Sequence, residues 1–431
     1  MYKEVSKELL AFLKKSPTQF HAIDSMKEEL LNHGYVELKE DEKWDLELGG
    51  QYFTTRNESS IIAFHLGKQL DDYGFHVVSS HSDYPTFKLK ENAELEVRNK
   101  YVQLNTEAYG GAISSTWFDR PLSVAGRVLV KEGNNIVSKL VKVDRDLVLI
   151  PNVAIHQNRG VNDGFKYNNQ IDLLPLFAGS NTNKGDFKQL IANELNVETS
   201  QILGSDLYLY SRVEPSIWGL NEEFISSPHL DDLQCGFASL KALLNGYNEN
   251  TVSVLACFDN EEVGSLTKQG AAGTFLKDVL KRIHLSLNKS EEDYYRAIAS
   301  SFMLSADNAH ALHPNHPEKA DPTNQVYLNE GVVVKQHAGQ RYTSNGISIA
   351  IFKDICDQAN VPVQFFANRS DVLSGGTLGN IAMAQVSMDS VDIGIPQLAM
   401  HSAYESAGIK DTYYMIKAME AFFNSPVIKI K

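Results

Sequence analysis

Two helical periods open the chain. Residues 1–15 read as an amphipathic helix, and residues 16–34 carry a second one: Ser16-Pro17 can start it, Phe20, Ile23, Met26 and Leu30 share a face, and Gly34 ends it. Strand patterns follow at 51–55 and 60–65. After Gly74, the β-branched run Phe75-His76-Val77-Val78-Ser79-Ser80 predicts a buried strand that delivers His81-Ser82-Asp83 to its carboxyl end. Ligands of open α/β sheets gather at that end.

From about Phe87 to Glu214 the texture changes to short alternating segments, at 94–97, 124–130 and 138–143, broken by Gly-Asn and Asp-Arg turns. This predicts a β-rich domain inserted into an α/β one, with a polar surface loop at 179–185. The expected division is 1–88 and 223–431 for the α/β domain and 89–222 for the insertion. The α/β pattern resumes near Phe224. It predicts helices at 233–244, 275–287, 346–360 and 411–424, and strands at 252–258, 301–306, 332–335 and 364–367. A glycine-rich stretch lies at 374–379.

At 431 residues, two or three domains are expected, and 43% hydrophobic with 22% charged residues fits a globular protein. No arginine-rich leader and no apolar run of about 18 residues is present, so neither secretion nor membrane spanning is expected. Cys235, Cys257 and Cys356 are widely spaced in apolar or helical contexts, which suggests reduced core thiols and a cytoplasmic protein. A formal charge of −14 argues against general nucleic-acid binding.

The chemistry concentrates where apolar runs end. Asp259-Asn260-Glu261-Glu262 follows the run 252–258; by itself it could be a solvated acidic turn. Yet His81 and Asp83, Asp231 and Asp232, Asp307 and His401 also follow runs that should be buried. Buried carboxylates need a compensating cation or must neutralise. Two imidazoles with several carboxylates suit two divalent ions, zinc in the first place and manganese or cobalt as alternatives. In His81-Ser82-Asp83 the carboxylate can accept the second imidazole N–H and fix its tautomer. His310, His313 and His316 could form a second metal cluster or a loop beside the site, and the loop reading is preferred. The 374–379 stretch lacks the Lys-Ser/Thr pair of a phosphate loop. Cys235 and Cys257 read as core packing, not as thiolate ligands.

Five segments in order, His81-Ser82-Asp83-Tyr84-Pro85, Ser227-Pro228-His229-Leu230-Asp231-Asp232-Leu233, Asp259-Asn260-Glu261-Glu262-Val263-Gly264-Ser265, Ser305-Ala306-Asp307-Asn308-Ala309-His310-Ala311 and Pro396-Gln397-Leu398-Ala399-Met400-His401-Ser402, resemble the metal-site motifs of the aspartyl aminopeptidase family. Residues 115–122, 153–156 and 340–342 add matches, so the resemblance spans nearly the whole chain. It implies a mixed-sheet α/β/α metallopeptidase domain with an inserted β-rich dimerisation domain. By resemblance, Asp231 bridges two metals, His81 and Asp307 complete one set, and Glu262 and His401 the other. Glu261 would be the general base of peptide hydrolysis and Asp83 would orient His81. His156 would reach a neighbouring subunit's site. Lys335 would select an N-terminal Asp or Glu, with Arg341, His310 and His313 shaping the substrate pocket. A homododecamer built from dimers and acting on peptides is implied as well. Preference for neutral N-terminal residues, deacylase or carboxypeptidase chemistry at the same centre, and a non-catalytic scaffold are the competing readings.

Overall fold

The computed structural model describes residues 1–373 and 375–428. Nine strands form its central sheet, in the order Val36–Glu37, Gln51–Arg56, Ser60–Leu66, Val252–Phe258, Phe75–His81, Phe302–Ala306, Asp389–Gly394, Val332–Gln336 and Val363–Ala367. The middle four run parallel. Parallel strands covered on both faces need apolar side chains on both, which explains why three of these four read as continuous runs in the sequence. Their alternating side chains sort into two layers. Val78, Leu255 and Leu304 pack with helices Tyr2–Lys15, Gln19–Asn32, Leu230–Asn245, Gly346–Gln358 and Asp411–Asn424. Val77, Val254 and Met303 pack with Phe275–Ser286, Glu291–Ala299 and Leu378–Met383 on the other face. The result is the expected mixed α/β/α sandwich.

A six-stranded antiparallel sheet lies between the two parts of the sandwich in sequence, ordered Asn135–Lys142, Leu122–Glu132, Ile202–Ser211, Thr86–Val97, Tyr101–Tyr109 and Leu176–Gly179. It has its own core, built on Phe87, Trp117, Val128 and Leu209. A third sheet of five short strands, Ser216–Trp218, Phe224–Ser227, Glu405–Gly408, Pro396–Leu398 and Ala309–His310, was not expected.

Several local expectations shift. The second helix begins at Gln19, not at Ser16-Pro17, because the Ser16 amide bonds back to the Leu13 carbonyl and closes the first helix. Helices Asp186–Leu195 and Glu291–Ala299 escaped the periodicity reading, since each buries only two or three side chains. Strand Asp389–Gly394 escaped it because polar residues interrupt it. Asp392 is buried there and accepts the hydroxyls of Thr343 and Thr377, at 2.8 and 2.7 Å, and the Thr343 amide. No helix among the described residues is long and apolar enough to cross a membrane.

One buried histidine predicts how stability follows pH. His76 is fully buried, donates from Nδ1 to the Phe422 carbonyl at 3.1 Å and stacks on the Phe422 ring. Burial holds its imidazole down to about 4, whereas in an unfolded chain it titrates near 6.5. Between these values the unfolded chain binds the extra proton. Its stabilising contribution is therefore complete above about pH 6.5 and is lost as pH falls towards about 4, amounting to roughly 3 kcal/mol at most. Melting curves across this window are expected to lose stability on acidification, with a shallower slope for His76→Gln. An unchanged slope in the variant would show that another group governs it.

Candidate metal centre

The parallel strands bring the acids and imidazoles together. Phe258 sits beside His81 in register, so the turn carrying Glu261 and Glu262 emerges next to His81-Ser82-Asp83. Asp307 follows Phe302–Ala306 on the other side of the same strand. Asp231 enters from the first turn of Leu230–Asn245, where His229 adopts φ 64° and the backbone of Asp231 and Asp232 is not yet helical. His401 comes from the third sheet, after Pro396–Leu398.

Three sets of potential donor atoms each fall within 4.8 Å of one another: His81, Asp231 and Asp307; His81, Glu261 and Glu262; Asp231, Glu262 and His401. His81 Nε2 lies 3.7 Å from Asp231 Oδ1, and His401 Nε2 lies 3.5 Å from Asp231 Oδ2 and 3.3 Å from Glu262 Oε1. Asp231 thus faces both imidazoles, one oxygen to each. Its Oδ1 is buried and has no hydrogen-bond partner among the described residues, which suits an oxygen that binds a cation.

The electrostatics ask for cations. Burial pushes the Glu261 carboxyl up to about 8, and Asp307, Glu262 and Asp83 add to the shift against His81. Burial disfavours the charged His401 ring, but Asp231 and Glu262 outweigh it and lift its imidazole to about 11. This much negative charge out of water, with an orphaned carboxylate oxygen and two imidazoles, fits a pair of divalent ions with nitrogen and oxygen ligands. Thiolates are not part of the set. Cys235 Sγ is 3.2 Å from Asn308 Oδ1, and burial pushes the Cys257 thiol up to about 12. All three cysteines are buried and unpaired.

The surrounding polar groups divide their work differently from the simple His-x-Asp picture. His81 Nδ1 donates to the backbone carbonyl of Asp83 at 3.0 Å, while the Asp83 carboxylate is 3.5 Å away. That carboxylate instead accepts the amides of Glu261 and Glu262, at 3.1 and 3.2 Å, and so fixes the acidic turn. Glu405, which the sequence reading did not name, and Asp232, to which it gave no role, hold the backbone of the other potential donors. Glu405, fully buried, accepts the amides of Asp231 and His401 at 3.0 and 2.7 Å. Asp232 accepts the His81 amide at 3.1 Å. The tail His401-Ser402-Ala403-Tyr404-Glu405 offered an acid near a histidine as the only hint of Glu405.

A cavity of about 1090 Å³ opens over the centre, lined among others by Lys335, Arg341, His310, His313 and the backbone of Gly375 and Gly376. Ser374, the first residue of the glycine-rich stretch, lies outside the described residues. Lys335 is only 4% exposed, with Nζ 3.4 Å from Asp307 Oδ1. Gly394 makes room for it, since a Cβ there would meet Lys335 Cε at 3.0 Å and the Asp307 carbonyl at 2.3 Å. His156 is exposed in the inserted domain and does not line this cavity.

An acid- and imidazole-lined centre at the carboxyl ends of parallel strands, under a peptide-sized cavity, defines a metal-dependent hydrolase. The family profile described as Aminopeptidase I zinc metalloprotease (M18) matches residues 12–423. Probable M18 family aminopeptidase 2 of Clostridium novyi is 47% identical over 97% of this chain and 98% of its own length. Its Clostridium acetobutylicum counterpart is 46% identical over 98% and 99%. Among solved structures, the cryo-EM structure of the Ape4 and Nbr1 complex superposes with a TM-score of 0.95 at 36% identity, over 98% of this chain and 86% of the other. The S. cerevisiae mApe1 dodecamer superposes with a TM-score of 0.85 at 28% identity, over 98% and 97%. The chain belongs to the M18 family of zinc aminopeptidases.

Proposed function

We propose that this aminopeptidase works with two zinc ions and removes N-terminal Asp or Glu from peptides. Asp231 would bridge the ions, with His81 and Asp307 on one and Glu262 and His401 on the other. The donor sets around Asp231 support this ligand pattern. The metal pair would supply Lewis acidity, polarising the scissile carbonyl and making water acidic enough to react near neutral pH. Glu261 would take the proton of the attacking water and hand it to the departing amine. Asp83, by holding the Glu261 and Glu262 amides, keeps base and ligand at a fixed separation.

Lys335 carries the acidic preference. A buried ammonium is costly without an anion, and its one ion-pair partner among the described residues is Asp307. Once Asp307 is engaged by a cation, the lysine is free for an anion entering the cavity, and the carboxylate of an N-terminal Asp or Glu supplies one. Arg341, His310 and His313, which also line the cavity, would shape the walls around it. The experiment compares Asp-, Glu- and Leu-anilide hydrolysis by the native enzyme and by Lys335→Met. The native enzyme is expected to favour the acidic substrates, and the variant to lose about 10- to 100-fold on them while keeping Leu turnover. A native preference for Leu would replace this reading with the neutral-residue one.

The partition 1–88, 89–222 and 223–431 is retained, with the inserted sheet as the dimerising element of a homododecamer and His156 reaching a neighbour's centre. Its exposed loop position and the mApe1 dodecamer support that arrangement. Three unpaired, buried cysteines favour a reducing, cytoplasmic setting.

A further inference from the structure

The inserted sheet does not merely flank the centre. Its strand Tyr101–Tyr109 ends beside the metal-site turn, and the Tyr109 hydroxyl donates to Asp83 Oδ2 at 2.7 Å while accepting from Asn260 Nδ2 at 2.9 Å. Tyr109 therefore ties the insertion both to the carboxylate that holds the Glu261 and Glu262 amides and to the residue just before them. Immediately afterwards the backbone runs close along the centre. Gly110, at φ +71°, would place a Cβ 3.1 Å from Glu262 Cβ and 3.3 Å from the Pro85 backbone, so a side chain there would be strained in conformation and crowded against the centre. The Gly111 carbonyl accepts from His401 Nδ1 at 3.0 Å, leaving Nε2 to face Asp231 and Glu262. Two more bonds hold the His401 loop, from the Ile113 amide to the His401 carbonyl at 2.9 Å and from the Ala403 amide to Thr116 Oγ1 at 3.0 Å.

We propose that residues 109–116, the end of strand Tyr101–Tyr109 and the segment that follows it, are positioning residues for the metal centre, tying His401 and the Asp83-held acidic turn to the inserted sheet, so that metal affinity depends on how that sheet is seated. The proposal rests on the metal-centre reading above. An imidazole ligand needs an acceptor on its other nitrogen to fix tautomer and ring angle, and for His401 that acceptor is a main-chain carbonyl from the inserted segment. Tyr109 does the corresponding work for the turn carrying Glu261 and Glu262. Neither contact is within the reach of local sequence, since Tyr109 and Asn260 are 151 positions apart and Gly111 and His401 are 290 apart.

The test strips the full-length protein of metal and titrates it with zinc against a chromophoric chelator. Tyr109→Phe keeps the ring, which packs edge-on against Tyr208, and removes only the hydroxyl. Thr116→Val removes the second anchor without touching the acidic turn. Tyr210→Phe removes a hydroxyl of the same sheet that donates to the Val143 carbonyl, away from the centre. Zinc affinity is expected to weaken about 10- to 100-fold in Tyr109→Phe and Thr116→Val, as for other groups that orient metal ligands, and to stay at the native value in Tyr210→Phe. At saturating zinc, KM should be unchanged and kcat reduced. Native zinc affinity in both Tyr109→Phe and Thr116→Val, or an equal loss in Tyr210→Phe, overturns the proposal. A native protein that takes up no zinc, or one in which His81→Ala and His401→Ala bind it normally, overturns the metal-centre reading itself.

Discussion

Glu261→Gln is expected to lower kcat by about 10²- to 10⁴-fold, the range in which a positioned proton acceptor contributes to hydrolysis. The reason is geometric before it is electrostatic. Glu261 stands at the mouth of the acidic turn with its amide anchored on Asp83 Oδ1 at 3.1 Å, so its side chain has a fixed origin beside His81 and Glu262. Burial pushes its carboxyl up to about 8 in the metal-free chain, and divalent cations beside it would bring that value down, towards the ionised form a base needs. Glutamine keeps the shape and removes the basic oxygen, so folding and bound zinc should be retained. Elemental analysis alongside kinetics separates the two effects. Activity equal to native, with zinc present, would remove Glu261 from the mechanism.

Asp231→Asn should be at least as damaging, and by another route. Asp231 is the one residue that belongs both to the set with His81 and Asp307 and to the set with Glu262 and His401. Losing its charge weakens two positions at once. If the metals contribute several kcal/mol to the barrier, activity should fall on the order of 10³-fold or more, and zinc content should fall with it. Oδ1 has no hydrogen-bond partner among the described residues, but the carboxylate faces both imidazoles, at 3.7 and 3.5 Å, so the melting temperature of the metal-free variant should fall below that of metal-free native protein. Near-native zinc content with near-native activity would sink the bridging role.

What could be read from the sequence follows from how these strands are buried. Phe75–His81, Val252–Phe258 and Phe302–Ala306 lie between two helix layers, so they must be apolar throughout, and polar residues that end such runs stand out. That is why His81, Asp83, Glu261, Glu262 and Asp307 could be picked out as neighbours of a single sheet edge. The same logic failed for Asp389–Gly394, whose Asp392 is satisfied by threonines 49 and 15 positions away.

The chain by itself therefore determined the apolar strands, the acids and imidazoles at their ends, and the kind of chemistry such a set can perform, because each is a property of one contiguous segment. Only the tertiary structure decided which groups hold them in place. Glu405 clamps the amides of Asp231 and His401, Gly111 orients His401 and Tyr109 steadies the acidic turn, the first of these contacts spanning 174 positions and the Gly111 contact 290. A hydrogen bond across such a separation leaves no period and no spacing in the sequence, and it exists only once both segments have been folded against each other.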